Sequence, residues 1–81
     1  MISKKALKKL SRELPHGSST TIRTRLMAKF PDMHPFTIDY IRKVLDPDDP
    51  RKNTIILDEA IIYRDELDDE KSRFEGRIFK G

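Results

Sequence analysis

Residues 37–46 read Thr-Ile-Asp-Tyr-Ile-Arg-Lys-Val-Leu-Asp, and this segment indicates the architecture more clearly than any other. Threonine is a good helix N-cap, and Ile41, Val44 and Leu45 recur at the spacing of one helical face. The segment therefore predicts a short amphipathic helix that starts at Thr37 and ends near Leu45. Its polar side chains would point outward: Asp39, Arg42 and Lys43.

Two further helices are predicted upstream of this segment. Ser3 is a suitable cap for a helix that ends near Leu14, in which leucines at positions 7, 10 and 14 form one apolar stripe. Residues 18–20, Ser-Ser-Thr, each qualify as the cap of a second helix, which Pro31 ends. The inward face of the second helix is predicted to consist of Ile22, Leu26 and Phe30.

The segment after residue 52 allows two interpretations. Residues 54–57, Thr-Ile-Ile-Leu, have the composition of a strand, and with residues 77–79 they would form the wing of a winged helix. A helix is favoured because four residues fit a helical stripe after an Asn53 or Thr54 cap: Ile56, Ala60, Tyr63 and Leu67. We therefore expect an all-α fold with a long C-terminal helix from about Thr54 to the low seventies. The domain would span residues 1–75, and residues 76–81 would fray or dock on a partner.

Charge is distributed unevenly along the 81 residues. Residues 1–52 contain twelve Lys and Arg against six Asp and Glu, a net charge of +6, whereas residues 53–81 contain five against eight, a net charge of −3. This asymmetry suggests a basic surface for a polyanion, with an acidic end kept away from it. The absence of cysteine excludes disulfides and thiolate metal sites. With no apolar stretch of membrane-spanning length, we expect no membrane contact and a cytoplasmic location.

The second and third predicted helices resemble the helix-turn-helix of the phage-repressor family, which includes lambda repressor and Cro-like proteins. The family has an isoleucine and a leucine four residues apart in its supporting helix, as Ile22 and Leu26 are here. Its recognition helix has a Ser or Thr cap, an aliphatic residue four positions later and a terminal aliphatic pair. Thr37, Ile41 and residues 44–45 stand at those positions.

The resemblance implies that the helix of residues 37–45 reads the major groove of double-stranded DNA. The base-facing positions would be Ile38, Asp39 and Lys43. Lys43 would donate to guanine, and Asp39 would accept from the N4 amino group of cytosine. The phosphate-facing positions would be Ser19, Thr20, Thr37, Arg42, Arg51 and Lys52.

The chain departs from the family pattern in three places. Arg23 stands where the supporting helix of the family has an alanine at the helix–helix contact. The glycine-containing turn of the family is replaced by the longer stretch of residues 27–36. Residues 46–48, Asp-Pro-Asp, replace the Asn-Gly-Lys turn that meets phosphate in the family.

No constellation typical of an enzyme is present in the sequence. His16 and His34, the two histidines, lie in separate predicted loops and lack the spacing of a zinc site. Residues 46–57 begin like a calcium loop, but Arg51 replaces its sixth-position glycine and Leu57 its twelfth-position glutamate. We therefore predict no enzyme, no catalytic residue, no metal, no cofactor and no small-molecule ligand.

The sequence thus predicts a small DNA-binding protein, either a transcriptional regulator or an accessory protein of a mobile element. Self-association through the C-terminal helix is expected, because Ile61 and Ile62 widen its apolar stripe. The alternative is a protein-interaction module without nucleic-acid binding. Its surface would consist of Ile61, Ile62, Phe74, Ile78 and Phe79.

Overall fold

The computed structural model describes the backbone of residues 2–80 and the side chains of residues 2–70. Four helices are present, α1 (Lys4–Glu13), α2 (Ser18–Lys29), α3 (Ile38–Leu45) and α4 (Thr54–Lys80), and residues 2–80 contain no strand. The predicted all-α, four-helix fold with a long C-terminal helix is confirmed. The winged-helix alternative is wrong, because residues 54–57 form the first turn of α4 and residues 77–79 continue its helical backbone.

Ser3 begins α1, as the sequence predicts. Its hydroxyl accepts a hydrogen bond from the backbone N–H of Ala6 at 3.1 Å, which satisfies a donor that the first helical turn leaves without a partner. The predicted leucine stripe is buried: Leu7, Leu10 and Leu14. Helix α1 therefore presents one apolar side to the core and its lysines to solvent.

The start of α2 differs from the prediction. Its N-cap is Gly17, which has a φ of 82°, and no side chain of residues 18–20 caps the helix. The Ser18 backbone N–H donates to the carbonyl of Pro15 at 3.2 Å, closing a tight turn between α1 and α2. Because glycine adopts a positive φ without steric strain, the turn itself determines where α2 begins.

Phe30 is 43% exposed, although the sequence predicts that it shares the buried face of Ile22 and Leu26. Helix α2 ends at Lys29, and Phe30 has a φ of −127° and a ψ of 68°, outside helical geometry. The helical repeat therefore no longer applies at Phe30, and its ring lies at the surface.

Helices α3 and α4 begin at predicted caps. The Thr37 hydroxyl accepts from the backbone N–H of Tyr40 at 3.1 Å, and the Asn53 side-chain oxygen accepts from that of Ile55 at 3.0 Å.

Helix α4 continues to Lys80, beyond its expected end in the low seventies. The expectation that residues 76–81 fray or dock concerns side chains that lie outside the described residues.

Helix α4 contacts each of the other three helices. Its residues Ile56, Leu57 and Ala60 are buried in a single core with apolar side chains from α1, α2 and α3. Ile61 also packs against this core, whereas Ile62 is 41% exposed. The wide apolar face that the sequence assigns to self-association is therefore divided between the core and the surface.

Two hydrogen bonds hold the ends of α3. The Ser11 hydroxyl donates to the carbonyl of Leu45, the last residue of α3, at 2.7 Å. At the other end, Arg23 Nε donates to the carbonyl of Phe36 at 2.9 Å. Arg23 thus joins α2 to the connector that precedes α3. The position of α3 is set by side chains from α1 and α2 as well as by its apolar face.

Candidate nucleic-acid interface

The outward face of α3 carries two of the three predicted base-facing residues. Asp39 and Lys43 are one helical turn apart, and Lys43 Nζ lies 3.0 Å from Asp39 Oδ2. The hydrogen bond from Lys43 lowers the pKa of the Asp39 carboxyl below its ordinary value. Ile38, the third residue, is half-buried at the start of the helix. This face therefore presents a carboxylate paired with an ammonium group. These are the two groups that would contact the edges of the nucleobases.

Arg42 supplies an exposed positive charge beside that pair. Within residues 2–70 its guanidinium makes no salt bridge or hydrogen bond, and its charge helps to lower the pKa of the Asp39 carboxyl. Thr37, one turn earlier, is also exposed, but its hydroxyl is occupied by capping the helix. Arg42 has the exposure and the donors that a phosphate contact requires.

The two phosphate contacts predicted at the start of α2 differ in exposure. Thr20 is exposed and stays in the candidate surface. Ser19 is only 8% exposed, because it lies on the same side of α2 as Ile22 and Leu26. We therefore withdraw the side-chain phosphate contact predicted for Ser19.

The α3–α4 loop, residues 46–53, holds Arg51 and Lys52 in different environments. The Lys52 ammonium donates to three carbonyls, those of Asp46 at 3.3 Å, Arg51 at 2.8 Å and Asp49. All three of its donors are therefore engaged within the loop. Arg51 is exposed, and its only salt bridge within residues 2–70 is a long one of 3.8 Å to Asp49. Of the two predicted phosphate contacts, Arg51 is the one with free donors.

Helix α1 adds a basic surface that the sequence interpretation counted only as charge. Lys5, Lys8, Lys9 and Arg12 are exposed along one shallow depression, and within residues 2–70 they make no salt bridge. Lys4 Nζ lies 3.1 Å from Asp48 Oδ1, which brings the start of α1 next to the α3–α4 loop. The bond from Ser11 to Leu45 joins the same helix to the end of α3. The ion pair and the hydrogen bond connect α1, and with it the lysines, to the predicted interface. No local sequence pattern reveals these two contacts.

A buried carboxylate joins α2 to α4, and the sequence interpretation missed it. Glu59 is only 2% exposed, and it accepts from Arg25 Nε at 2.9 Å and pairs with Lys29 Nζ at 2.6 Å. Arg25 also pairs with Glu66 at 2.7 Å and lies over the Tyr63 ring at 5.3 Å. In an amphipathic helix a glutamate is assigned to the solvent face by default. Only the cations opposite it, on a different helix, reveal its position.

The ionisation of this cluster follows from its contacts. Burial raises the pKa of Glu59, but the hydrogen bonds from Lys29 and Arg25 outweigh burial, so its pKa lies below the ordinary value. Hydrogen bonds from Arg25 to Glu66 and to Glu59 raise the pKa of Arg25. Glu59 and Arg25 are therefore both charged at neutral pH. A carboxylate engaged by two cations is a structural link between helices rather than a general base.

Within residues 2–70, no three His, Asp or Glu side chains come together in a group that would hold a metal ion. Across the part of the chain that the structure describes, no helix combines the length and apolar content needed to cross a lipid bilayer. Comparison with known proteins adds no family assignment: no family model, curated protein or solved structure matches this chain.

Proposed function

We propose that this protein binds double-stranded DNA, with α3 in the major groove and with flanking cations on the phosphate backbone. The observation that supports the proposal best is the position of Arg42, exposed and without a salt bridge among the described side chains, beside the Asp39–Lys43 pair. Helix α1, which carries the basic side chains, lies next to the end of α3 and the following loop through the Ser11 and Lys4 contacts. Charges placed in this way can meet a phosphate backbone while α3 meets base edges.

The roles of individual residues follow from their environments. Lys43 and Asp39 would contact neighbouring base pairs, and Ile38 would make apolar contact, for instance with a thymine methyl group. Arg42, Arg51, Thr20 and the backbone at Thr37 would contact phosphates, while Lys52 would hold the loop that carries Arg51. A domain of this size covers few base pairs, so two copies on adjacent half-sites would provide useful specificity. Such a protein would act as a transcriptional regulator or as a mobile-element accessory protein.

The test is fluorescence anisotropy with a labelled duplex of mixed sequence at low and at moderate salt. We expect binding whose affinity falls with salt, with a log–log slope of about −0.9 per phosphate neutralised. Arg42→Ala should weaken binding and reduce the slope. Arg64→Ala removes the same charge from α4, where Arg64 pairs with Glu13 and Asp65, and it should leave binding nearly unchanged.

An absence of binding at low salt, or an affinity insensitive to salt, would contradict the proposal. Equal losses of DNA affinity for Arg42→Ala and Arg64→Ala would show that binding follows net charge alone. In that case α3 would not be the contact surface for DNA.

A second function, protein interaction without nucleic-acid binding, draws support from one observation, the exposure of Ile62. Ile61, predicted to belong to the same surface, instead packs against the core. The other predicted members, Phe74, Ile78 and Phe79, lie outside the residues whose side chains the structure describes. Anisotropy that stays flat with the mixed duplex at low salt would favour this second function.

A further inference from the structure

The large apolar side chains that are exposed within residues 2–70 lie in one place. Met27 and Phe30, at the end of α2, are 44% and 43% exposed, and Ile55 and Ile62, on the outer side of α4, are 38% and 41% exposed. Phe30, Ile55 and Ile62 line a single groove between α2 and α4, and Met27 adjoins Phe30 in a neighbouring depression. We call these four residues the apolar patch. A contiguous exposed apolar surface of this kind is typical of an interaction site.

The groove between α2 and α4 also contains charged side chains of both signs. Glu59 lines it, but its carboxylate is engaged by Arg25 and Lys29. Asp58 lines it too, is exposed, and has no salt bridge with any side chain in residues 2–70. The Lys29 side chain is 46% exposed, and its ammonium group uses one of its three donors on Glu59. Each groove thus offers the Asp58 carboxylate, which has no cation partner within residues 2–70, and the Lys29 ammonium group, which has two further donors.

This combination distinguishes the patch from two surfaces of the described chain that each carry charge mainly of one sign. The outer side of α1 carries Lys5, Lys8, Lys9 and Arg12, and two copies of it would repel each other. Residues 65–70 of α4 carry five acidic side chains, and two copies of that segment would repel each other as well. At the patch, a second copy meets apolar surface and charges of both signs. A two-fold interface requires such self-complementarity, because the same residues face each other from both sides.

We propose that the apolar patch is the contact surface between two copies of this chain, related by a two-fold axis. Phe30, Ile55 and Ile62 of one copy cover the corresponding side chains of the other. Asp58 of each copy then pairs with Lys29 of its partner, so both open charges are satisfied across the interface. The contact uses the first turns of α4 and the end of α2. It needs neither Ile61 nor the apolar residues of the last turns of α4. It is independent of DNA binding, and it is measured without DNA.

The first test is sedimentation velocity of the full chain from micromolar to millimolar concentration. We expect a monomer–dimer equilibrium in the wild type. Ile62→Glu should weaken the dimer at least about tenfold, because it places a charge in the apolar contact of both copies. Ala6→Glu adds the same charge at an exposed position of α1, which contributes no residue to the groove, and should leave the dimer unchanged. Circular dichroism of each variant checks that the helices are retained.

The second test exchanges the two charges between chains. Asp58→Lys alone places two ammonium groups opposite each other, and Lys29→Glu alone places two carboxylates opposite each other, so each variant should be mainly monomeric. An equimolar mixture should form a heterodimer, because every contact then joins unlike charges. If circular dichroism of Lys29→Glu reports loss of helix, Lys29→Gln is used in its place. Its mixture with Asp58→Lys should form less heterodimer, because glutamine carries no charge.

Either of two results would overturn the proposal. One is a wild-type chain that remains monomeric at millimolar concentration. The other is a dimer that Ile62→Glu and Ala6→Glu affect equally, since this would assign self-association to a different surface. A mixture of the two charge variants that stays monomeric would refute the pairing of Asp58 with Lys29.

Discussion

Arg25 and Glu59 lie thirty-four residues apart in the chain, and in the fold Arg25 Nε donates to Glu59 Oε2 at 2.9 Å. The carboxylate is almost fully buried, whereas the guanidinium remains partly exposed and reaches Glu66 with a second nitrogen. One arginine of α2 therefore contacts two carboxylates of α4 that lie about two helical turns apart. This link supplements the apolar core, which is small because only 36% of the residues are hydrophobic.

Removal of the buried carboxylate should destabilise the fold. Glu59→Ala removes the carboxylate that Arg25 and Lys29 share and leaves Arg25 only its exposed partner Glu66, so we expect a loss of about 1–3 kcal/mol in the free energy of unfolding. Urea denaturation followed by circular dichroism measures it. Glu66→Ala removes the exposed partner of the same arginine and should have a much smaller effect. Equal losses for the two variants would mean that burial of Glu59 contributes nothing.

Acid should weaken the fold through the same carboxylate. The pKa of Glu59 is lower in the folded chain than its ordinary value, so the unfolded chain takes up the proton at a higher pH. The stabilisation is complete above the ordinary glutamate pKa of about 4 and is lost as the pH falls through the lowered value. Glu59→Gln should be less stable at neutral pH and should lose less stability on acidification. Parallel stability curves for the variant and the wild type would contradict this assignment.

Local rules predicted two helix starts from the sequence, narrowed a third to Asn53 or Thr54, and failed at the start of α2. Ser3, Thr37 and Asn53 are caps because their side chains bond to N–H groups two or three residues later, which depends only on neighbouring residues. Helix α2 begins instead after a backbone turn at Gly17, so the serines that follow were misleading. The burial of Glu59 was not predictable in this way, because its stabilising cations belong to another helix.

Arg23 should prove necessary for holding the connector before α3. Arg23→Ala removes the bond to the Phe36 carbonyl, and we expect a loss of about 0.5–1.5 kcal/mol in the free energy of unfolding. Amide hydrogen exchange should speed up at residues 33–38 more than elsewhere. Thr24→Ala, at the next position, removes only an exposed bond to the carbonyl of Thr20 and serves as the control. Unchanged exchange in the connector would exclude this role for Arg23.

The Asp39–Lys43 pair predicts a distinct signature in DNA binding. Lys43→Ala should cost about 1–3 kcal/mol on the preferred duplex and relax one position of it. Asp39→Asn should shift the preference at the neighbouring position from cytosine toward adenine, because an amide can both donate to and accept from adenine. Selection from a randomised duplex pool measures both preferences. If both variants retain the wild-type site, α3 does not read bases through this pair.

Arg51 and Lys52 are neighbours, yet their alanine variants should behave differently. Arg51→Ala should weaken binding to all duplexes alike and reduce the salt slope by about 1. Lys52→Ala should instead lower the stability of the fold, because three loop carbonyls lose their donor. Anisotropy titrations and urea denaturation of both variants separate the two effects. The assignment fails if Lys52→Ala changes the salt slope as Arg51→Ala does while stability is unchanged.

The carbonyl contacts of Lys52 also determine how the α3–α4 loop responds to ionic strength. Lys4 and Asp48 form an exposed ion pair, which added salt screens. The Lys52 ammonium is bonded to neutral backbone oxygens over short distances, and mobile ions compete poorly for such contacts. Raising the salt concentration should therefore weaken the Lys4–Asp48 contact and leave the loop closed. The segment that carries Arg51 would keep its shape under the conditions that release a polyanion.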